Sequence, residues 1–172
     1  MTMSLQRLRE TPYRKIVWLC ALSETLHNIE EAIWLPGWSR SAGPWHPPVS
    51  PFEFRFAVAV ITLAVYGVIL YFVRRETRPA RLLMGGTLVV ILVNVFIPHL
   101  AATIVTARYA PGVLMGVIFN IPVTFYLLRR GLKEGEYSAA SLALGTLACT
   151  LLAAPIMLAS FAMGRWMEQV LF

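Results

Sequence analysis

The chain has 172 residues, of which 58% are hydrophobic and 14% are charged, whereas about 25% of an ordinary soluble domain is charged. This composition excludes a soluble globular domain and predicts an all-α bundle embedded in a lipid bilayer. The net charge of +6 comes from arginine and lysine that stand between apolar runs, which favours membrane orientation and argues against nucleic-acid binding. Cys20 and Cys149 both fall in apolar runs, so they indicate packing and not a disulfide framework.

Five apolar runs predict five transmembrane helices in a single membrane domain, at residues 16–34, 54–73, 82–105, 113–128 and 138–163. Each run is close to the ~20 residues that a helix needs to cross ~30 Å of hydrocarbon. Eleven of the fifteen basic residues would face one side, namely Arg7, Arg9, Arg14, Lys15, Arg74, Arg75, Arg78, Arg81, Arg129, Arg130 and Lys133. The other four would face the opposite side, namely Arg40, Arg55, Arg108 and Arg165. This asymmetry predicts a cytoplasmic N-terminus and an outer C-terminus.

The first run carries ionisable residues where lipid favours apolar ones. His27, Glu30 and Glu31 lie within it, and Glu24 lies about one turn earlier. An ionisable group at membrane depth costs several kcal/mol unless it is paired, binds a metal or faces water. Because a helix has 3.6 residues per turn, Glu24, His27 and Glu31 share one side of it, with Glu30 close beside them. The cluster therefore predicts a functional site.

Two further runs bring polar residues to the same depth. Under the predicted orientation, His27, His99 and Asn120 all lie ~10 Å below the outer end of their helices, and Asn94 lies deeper on the helix of His99. Pro98 predicts a bend beside His99, and irregular backbone at membrane depth is tolerated where it lines a cavity. The sequence therefore predicts one shared site in the outer half of the bilayer. Taken singly, such residues are more often hydrogen-bond partners between helices than ligands or catalytic groups.

The spacing H-x-x-E-E resembles the H-x-x-E-H arrangement of inverted zinc peptidases. That resemblance implies that His27 and Glu31 are metal ligands, that Glu30 is the general base and that His99 is a third ligand. A catalytic zinc has three protein ligands and a water that ionises near neutral pH. Glu24-x-x-His27 also matches the spacing of carboxylate-bridged di-iron bundles, although no other predicted span supplies a glutamate. A paired glutamate also occurs in CAAX-protease-like membrane peptidases, but this chain lacks the arginine that follows it there.

The segment from His27 to Glu31, followed by His99 and the run Arg108-Tyr109-Ala110-Pro111-Gly112, resembles the HXXEE family of bacterial integral membrane proteins. The resemblance covers about residues 18–122 and extends more loosely beyond. It implies a multi-span protein of the bacterial inner (plasma) membrane, in a family often suspected to be enzymatic.

We therefore expect a metal-dependent membrane enzyme that hydrolyses a lipid or lipid-linked substrate entering from the outer leaflet. The expected catalytic residues are Glu30 and His27, the expected ligands are His27, Glu31 and His99, and the supporting residues are Glu24, Asn94 and Asn120. The expected cofactor is a divalent metal ion, zinc first, with iron or manganese as alternatives. Two other functions stay open: a proton- or cation-coupled transporter that uses the same side chains as a relay, and a non-catalytic partner subunit. The bilayer is the expected partner, nucleic acid is not, and the oligomeric state is left open.

Overall fold

The computed structural model describes residue 7 and residues 10–172, and every regular element in that part of the chain is helical. A short helix, α1 (Tyr13–Ile16), precedes five long ones. These are α2 (Trp18–Ser39), α3 (Pro51–Arg74), α4 (Arg78–Thr106), α5 (Val113–Lys133) and α6 (Ala139–Leu171). The predicted all-α architecture is confirmed.

Four of these helices, α3 to α6, are long and apolar enough to cross a membrane, which is consistent with a multi-pass membrane protein. The 22-residue helix α2 is not among them, because Glu24, Glu30 and Glu31 interrupt its apolar run. The first predicted span, residues 16–34, is therefore a helix of suitable length but of mixed polarity. The predicted orientation of the termini stays a prediction, and Arg9, one of the residues behind it, lies outside the described residues.

Side-chain caps explain where two of the helices begin. The hydroxyl of Ser50 accepts a hydrogen bond from the amide of Glu53, with Pro51 at the first position of α3. Ser138 and Ser141 form a reciprocal capping box at the start of α6, with bonds of 3.1 and 2.7 Å. Such caps satisfy amides that have no partner within the helix. Local sequence therefore fixes these boundaries.

Helix α6, with 33 residues, packs along α4 in its first half and along α3 near its end. Gly86 and Gly145 allow the first contact, because a Cβ on Gly145 would lie 2.2 Å from the carbonyl oxygen of Leu82. Small residues permit such close approach between helices in membranes. On the other side of the molecule, α2 packs against α3 and α5, and these contacts position the polar cluster.

Helix α4 is interrupted where the sequence predicts a bend. Ile97, immediately before Pro98, has the extended backbone angles φ −135° and ψ 113°. Proline disfavours helical geometry in the residue that precedes it and cannot donate the usual backbone hydrogen bond. The predicted bend is therefore confirmed, and the chain resumes a helical path that buries His99.

Candidate functional site

Three predicted ligands converge in the bundle. One ligand atom from each of His27, Glu31 and His99 lies within 4.8 Å of the other two. Nε2 of His99 is 3.2 Å from Oε1 of Glu31, and Nε2 of His27 is 3.9 Å from Oε2 of the same carboxylate. The two imidazole rings meet edge to face, with their centroids 4.9 Å apart. Both histidines are buried, whereas the Glu31 side chain is 12% exposed, so Glu31 forms the accessible edge of the cluster.

Asn94 completes this group from α4. Its amide nitrogen lies 3.2 Å from Nε2 of His99 and 3.4 Å from Nε2 of His27. An amide NH₂ has two protons to donate, and a neutral imidazole nitrogen without a proton can accept one. Asn94 can therefore donate to Nε2 of both rings. The Glu31 carboxylate approaches the same two nitrogen atoms.

The far side of each ring is held by backbone from residues 107–112, which connect α4 to α5 and are called the strap below. Nδ1 of His27 lies 2.9 Å from the carbonyl oxygen of Gly112. Nδ1 of His99 also lies next to Gly112, because a Cβ built on that glycine would be 2.7 Å from it. A carbonyl on one ring nitrogen fixes the proton there and leaves the lone pair on the other. The strap thus favours the Nδ1–H tautomer of His27.

Gly112 is required by the backbone and by the space around it. Its φ of +92° lies in a region that side chains rarely adopt. A Cβ at this position would lie 2.7 Å from Cε1 and Nδ1 of His99 and 2.8 Å from Cε1 of His27. The strap therefore approaches both imidazoles more closely than any residue with a side chain would permit.

Glu30 is turned towards the strap and the start of α5. Its Oε1 accepts hydrogen bonds from the hydroxyl of Tyr109 and from the amide of Leu114, the latter at 3.3 Å. Its Oε2 accepts from the amide of Met115 at 2.7 Å. A carboxylate is well placed here, because the first amides of a helix have no internal partner and carry partial positive charge. That Glu30 acts as a general base stays a prediction, and the structure shows its carboxylate occupied by these three donors.

Tyr109 is suited to donate this bond. Partial burial and the neighbouring Glu30 carboxylate both raise the pKa of the Tyr109 phenol above its ordinary value. The hydroxyl therefore keeps its proton at neutral pH and donates to Glu30.

Glu24 and Asn120 form a second polar pair beside the cluster. The Asn120 amide nitrogen donates to Oε2 of Glu24 at 2.9 Å, and both residues are buried. The other amide atom, Oδ1 of Asn120, is buried without a hydrogen-bond partner in the described part of the chain. These residues thus pair with each other, and Glu24 stands outside the group of three ligand atoms.

The sequence alone assigns no chemical role to the strap. In the sequence, the run from Tyr109 to Gly112 only serves to identify a family. Its carbonyls belong to the backbone, so the types of residue in the run do not reveal what the carbonyls contact. Thr103 also supports the strap, since its hydroxyl donates to the His99 carbonyl at 2.9 Å and lies 3.2 Å from the amide of Ala110.

The third histidine, His46, lies between α2 and α3, where its ring is 6.2 Å from that of Phe54.

The fold and the cluster define a helical, membrane-type protein whose H-x-x-E-E motif supplies buried His and Glu side chains. The profile of the family described as "Protein of unknown function with HXXEE motif" matches residues 18–127. The chain belongs to this family. It is similar to the uncharacterized protein YrkK of Bacillus subtilis (strain 168), with 46% identity over 100 residues, which cover 58% of this chain and 63% of that protein. The match thus spans less than two thirds of the relative's length. No solved structure matches the chain.

Proposed function

We propose that the protein binds one divalent metal ion through His27, Glu31 and His99 and uses it to hydrolyse a lipid or lipid-linked substrate. The convergence of these three side chains supports the proposal. Two ligands of one tetrahedral ion at ~2.1 Å stand ~3.4 Å apart. The 3.2 Å between Nε2 of His99 and Oε1 of Glu31 is close to that spacing, whereas the widest separation in the group, up to 4.8 Å, has to shorten when an ion binds.

The donor set agrees with a catalytic role. Two imidazoles and one carboxylate are ligands found in hydrolytic zinc sites, where a fourth position stays open for water or substrate. When bound, such an ion supplies an ionised water that attacks an ester, an amide or a phosphate. Zinc is our first choice, with iron or manganese as alternatives that the same ligands accept. Glu31, as the accessible edge, is where we expect the substrate to approach.

The placement of the cluster among long apolar helices supports a substrate from the membrane itself. We propose the bacterial inner membrane, with a cytoplasmic N-terminus, an outer C-terminus and the site in the outer half of the bilayer. The asymmetry of Lys and Arg along the chain supports this orientation. Cysteine labelling from either side of the membrane at positions 40 and 133 tests it, because these positions are expected on opposite sides.

Metal analysis of the protein purified in lipid nanodiscs tests the site. We expect about one ion per chain in the wild type, and none in His27→Ala or His99→Ala. His46→Ala is the matched control, because it removes the third histidine of the chain but leaves the cluster intact. Absence of a stoichiometric ion in the wild type, together with no gain in thermal stability when zinc, iron or manganese is added, would contradict the proposal.

Catalysis needs its own test, because an ion can be structural. We would incubate the wild type with vesicles of a mixed bacterial lipid extract and measure released phosphate, fatty acid and headgroup. Glu31→Gln is expected to abolish any release that the metal-loaded wild type shows. Release that persists at the wild-type rate in Glu31→Gln would refute hydrolysis at this site.

The buried Glu24–Asn120 pair favours one alternative, a proton or cation relay along α2. Glu24, His27 and Glu31 lie on one side of that helix, so they form a polar row. Proton flux into proteoliposomes distinguishes the two functions. A relay requires flux in the wild type that Glu24→Gln abolishes, whereas a hydrolase requires none.

A further inference from the structure

The two glutamates of the motif serve different parts of the molecule. Consecutive helical residues point ~100° apart, and this rotation separates the carboxylates. Glu31 faces the histidines, with 3.2 Å between its Oε1 and Nε2 of His99. Glu30 contacts the strap and the first turn of α5, where it accepts from Tyr109, Leu114 and Met115. The motif therefore combines one candidate ligand, Glu31, with one residue, Glu30, that accepts hydrogen bonds from the strap and from the first turn of α5.

The backbone that Glu30 holds is the backbone that orients the histidines. Tyr109 stands three residues before Gly112, which lies against both imidazole rings. The carbonyl of Gly112 accepts both from His27 and from the amide of Gly116, each at 2.9 Å. A shift of the strap would therefore remove the carbonyl partner of His27, and Glu30 contacts the chain on either side of that carbonyl.

We propose that Glu30 is a positioning residue, which holds the strap so that the carbonyl of Gly112 keeps His27 as the Nδ1–H tautomer. Nε2 of His27, on the side of Asn94 and Glu31, then carries no proton, as metal binding requires. The consequence for metal affinity rests on the proposed function, whereas the control of the tautomers does not. Under this proposal Glu30 is not the general base that the peptidase-like spacing suggests.

Histidine tautomers report this role directly. The chain has three histidines, so in a His46→Ala background the ¹⁵N spectrum of the histidine-labelled protein contains only the two rings of the site. We expect the Nδ1–H form to dominate for His27 in the metal-free parent. In Glu30→Gln and in Tyr109→Phe, the ratio of the Nδ1–H to the Nε2–H form should fall by about fivefold, the shift that loss of one net hydrogen bond produces.

Tyr66→Phe provides the matched control. The Tyr66 hydroxyl also bonds to α2, at 3.1 Å from Oγ1 of Thr25, but it has no contact with the strap. The tautomer ratio should stay at the parent value in this variant. Tyr109→Phe keeps the Glu30 carboxylate and its two amide donors, so it leaves the start of α5 capped even if Glu30→Gln folds poorly. An unchanged ratio in a folded Tyr109→Phe or Glu30→Gln variant would overturn the proposal.

Metal affinity gives a second and separable readout. By competition with a chromogenic chelator, Glu30→Gln and Tyr109→Phe should bind Zn²⁺ 10–100-fold more weakly than the parent, the range typical of residues that orient ligands. A general base would instead leave this affinity unchanged. If the wild type binds no metal but the tautomers shift, the strap inference stands and the proposed function fails. If the wild type binds metal and neither readout moves, the strap inference fails and the metal site stands.

Discussion

Gly112→Ala is the substitution whose cost the structure specifies most directly. With φ at +92°, a residue with a side chain adopts strained backbone, which costs about 1–2 kcal/mol. The new methyl group would also lie 2.7 Å from the His99 ring and 2.8 Å from the His27 ring. Forcing an extra carbon into a packed site costs about 1–3 kcal/mol more. We therefore expect the free energy of unfolding to fall by about 2–5 kcal/mol.

Two other glycines provide controls that separate the cost of the strained backbone from the cost of the close contact with the histidines. Gly135 has a φ of +75°, but a methyl group added there would meet no atom within 4 Å, so Gly135→Ala should show only the backbone cost. Gly37, inside α2, has open space and no positive φ, so Gly37→Ala should gain up to ~1 kcal/mol from helix propensity. Equilibrium unfolding in mixed micelles, followed by tryptophan fluorescence, measures all three variants. If Gly112→Ala comes within about 0.5 kcal/mol of Gly135→Ala, the close contact with the histidines is wrong.

Three further substitutions test the packing around the site. Gly145→Ala would place a methyl group 2.2 Å from a backbone oxygen of α4. The yield of folded, monodisperse protein, measured by gel filtration, should therefore fall sharply. Gly67→Ala, with open space around it, should behave as the wild type. Asn120→Leu removes the donor to buried Glu24 and should lower the unfolding free energy by about 1–3 kcal/mol; an unchanged value would mean that water replaces the amide. Tyr13→Phe loses a buried bond to a carbonyl of α5 and should cost about 1 kcal/mol by the same measurement, with no effect arguing against that bond.

Much of the fold can be predicted because apolar runs and caps are local signals. The runs at 54–73 and 82–105 agree with α3 and α4 to within a few residues, since each helix ends where charged or turn-forming residues begin. The apolar pattern predicts an end of α6 at residue 163, whereas the helix continues to Leu171. Hydropathy marks only the apolar part of a helix, and the polar residues that follow are equally good helix formers.

The candidate site can be predicted only in part. His27, Glu31 and His99 are identifiable because ionisable side chains are rare in apolar helices, so their presence carries information. That Glu31 meets the histidines while Glu30 meets the strap cannot be derived from sequence, because the contacts of each helix face depend on how the neighbouring helices pack. The role of the Gly112 carbonyl cannot be predicted for a related reason, since every residue has a carbonyl and only the fold determines which of them contacts a histidine.

The 33 residues of α6 correspond to ~50 Å at 1.5 Å per residue, well beyond the ~30 Å of a hydrocarbon core. Even a tilt of ~40° would leave several ångströms of this helix projecting past the lipid chains. Near its last turns the helix is tied to the beginning of α3 through Arg165 and Glu53, 3.2 Å apart, and through Glu168 and Ser50, 2.5 Å apart. A thicker bilayer would therefore shift the last turns of α6 together with the connection before α3.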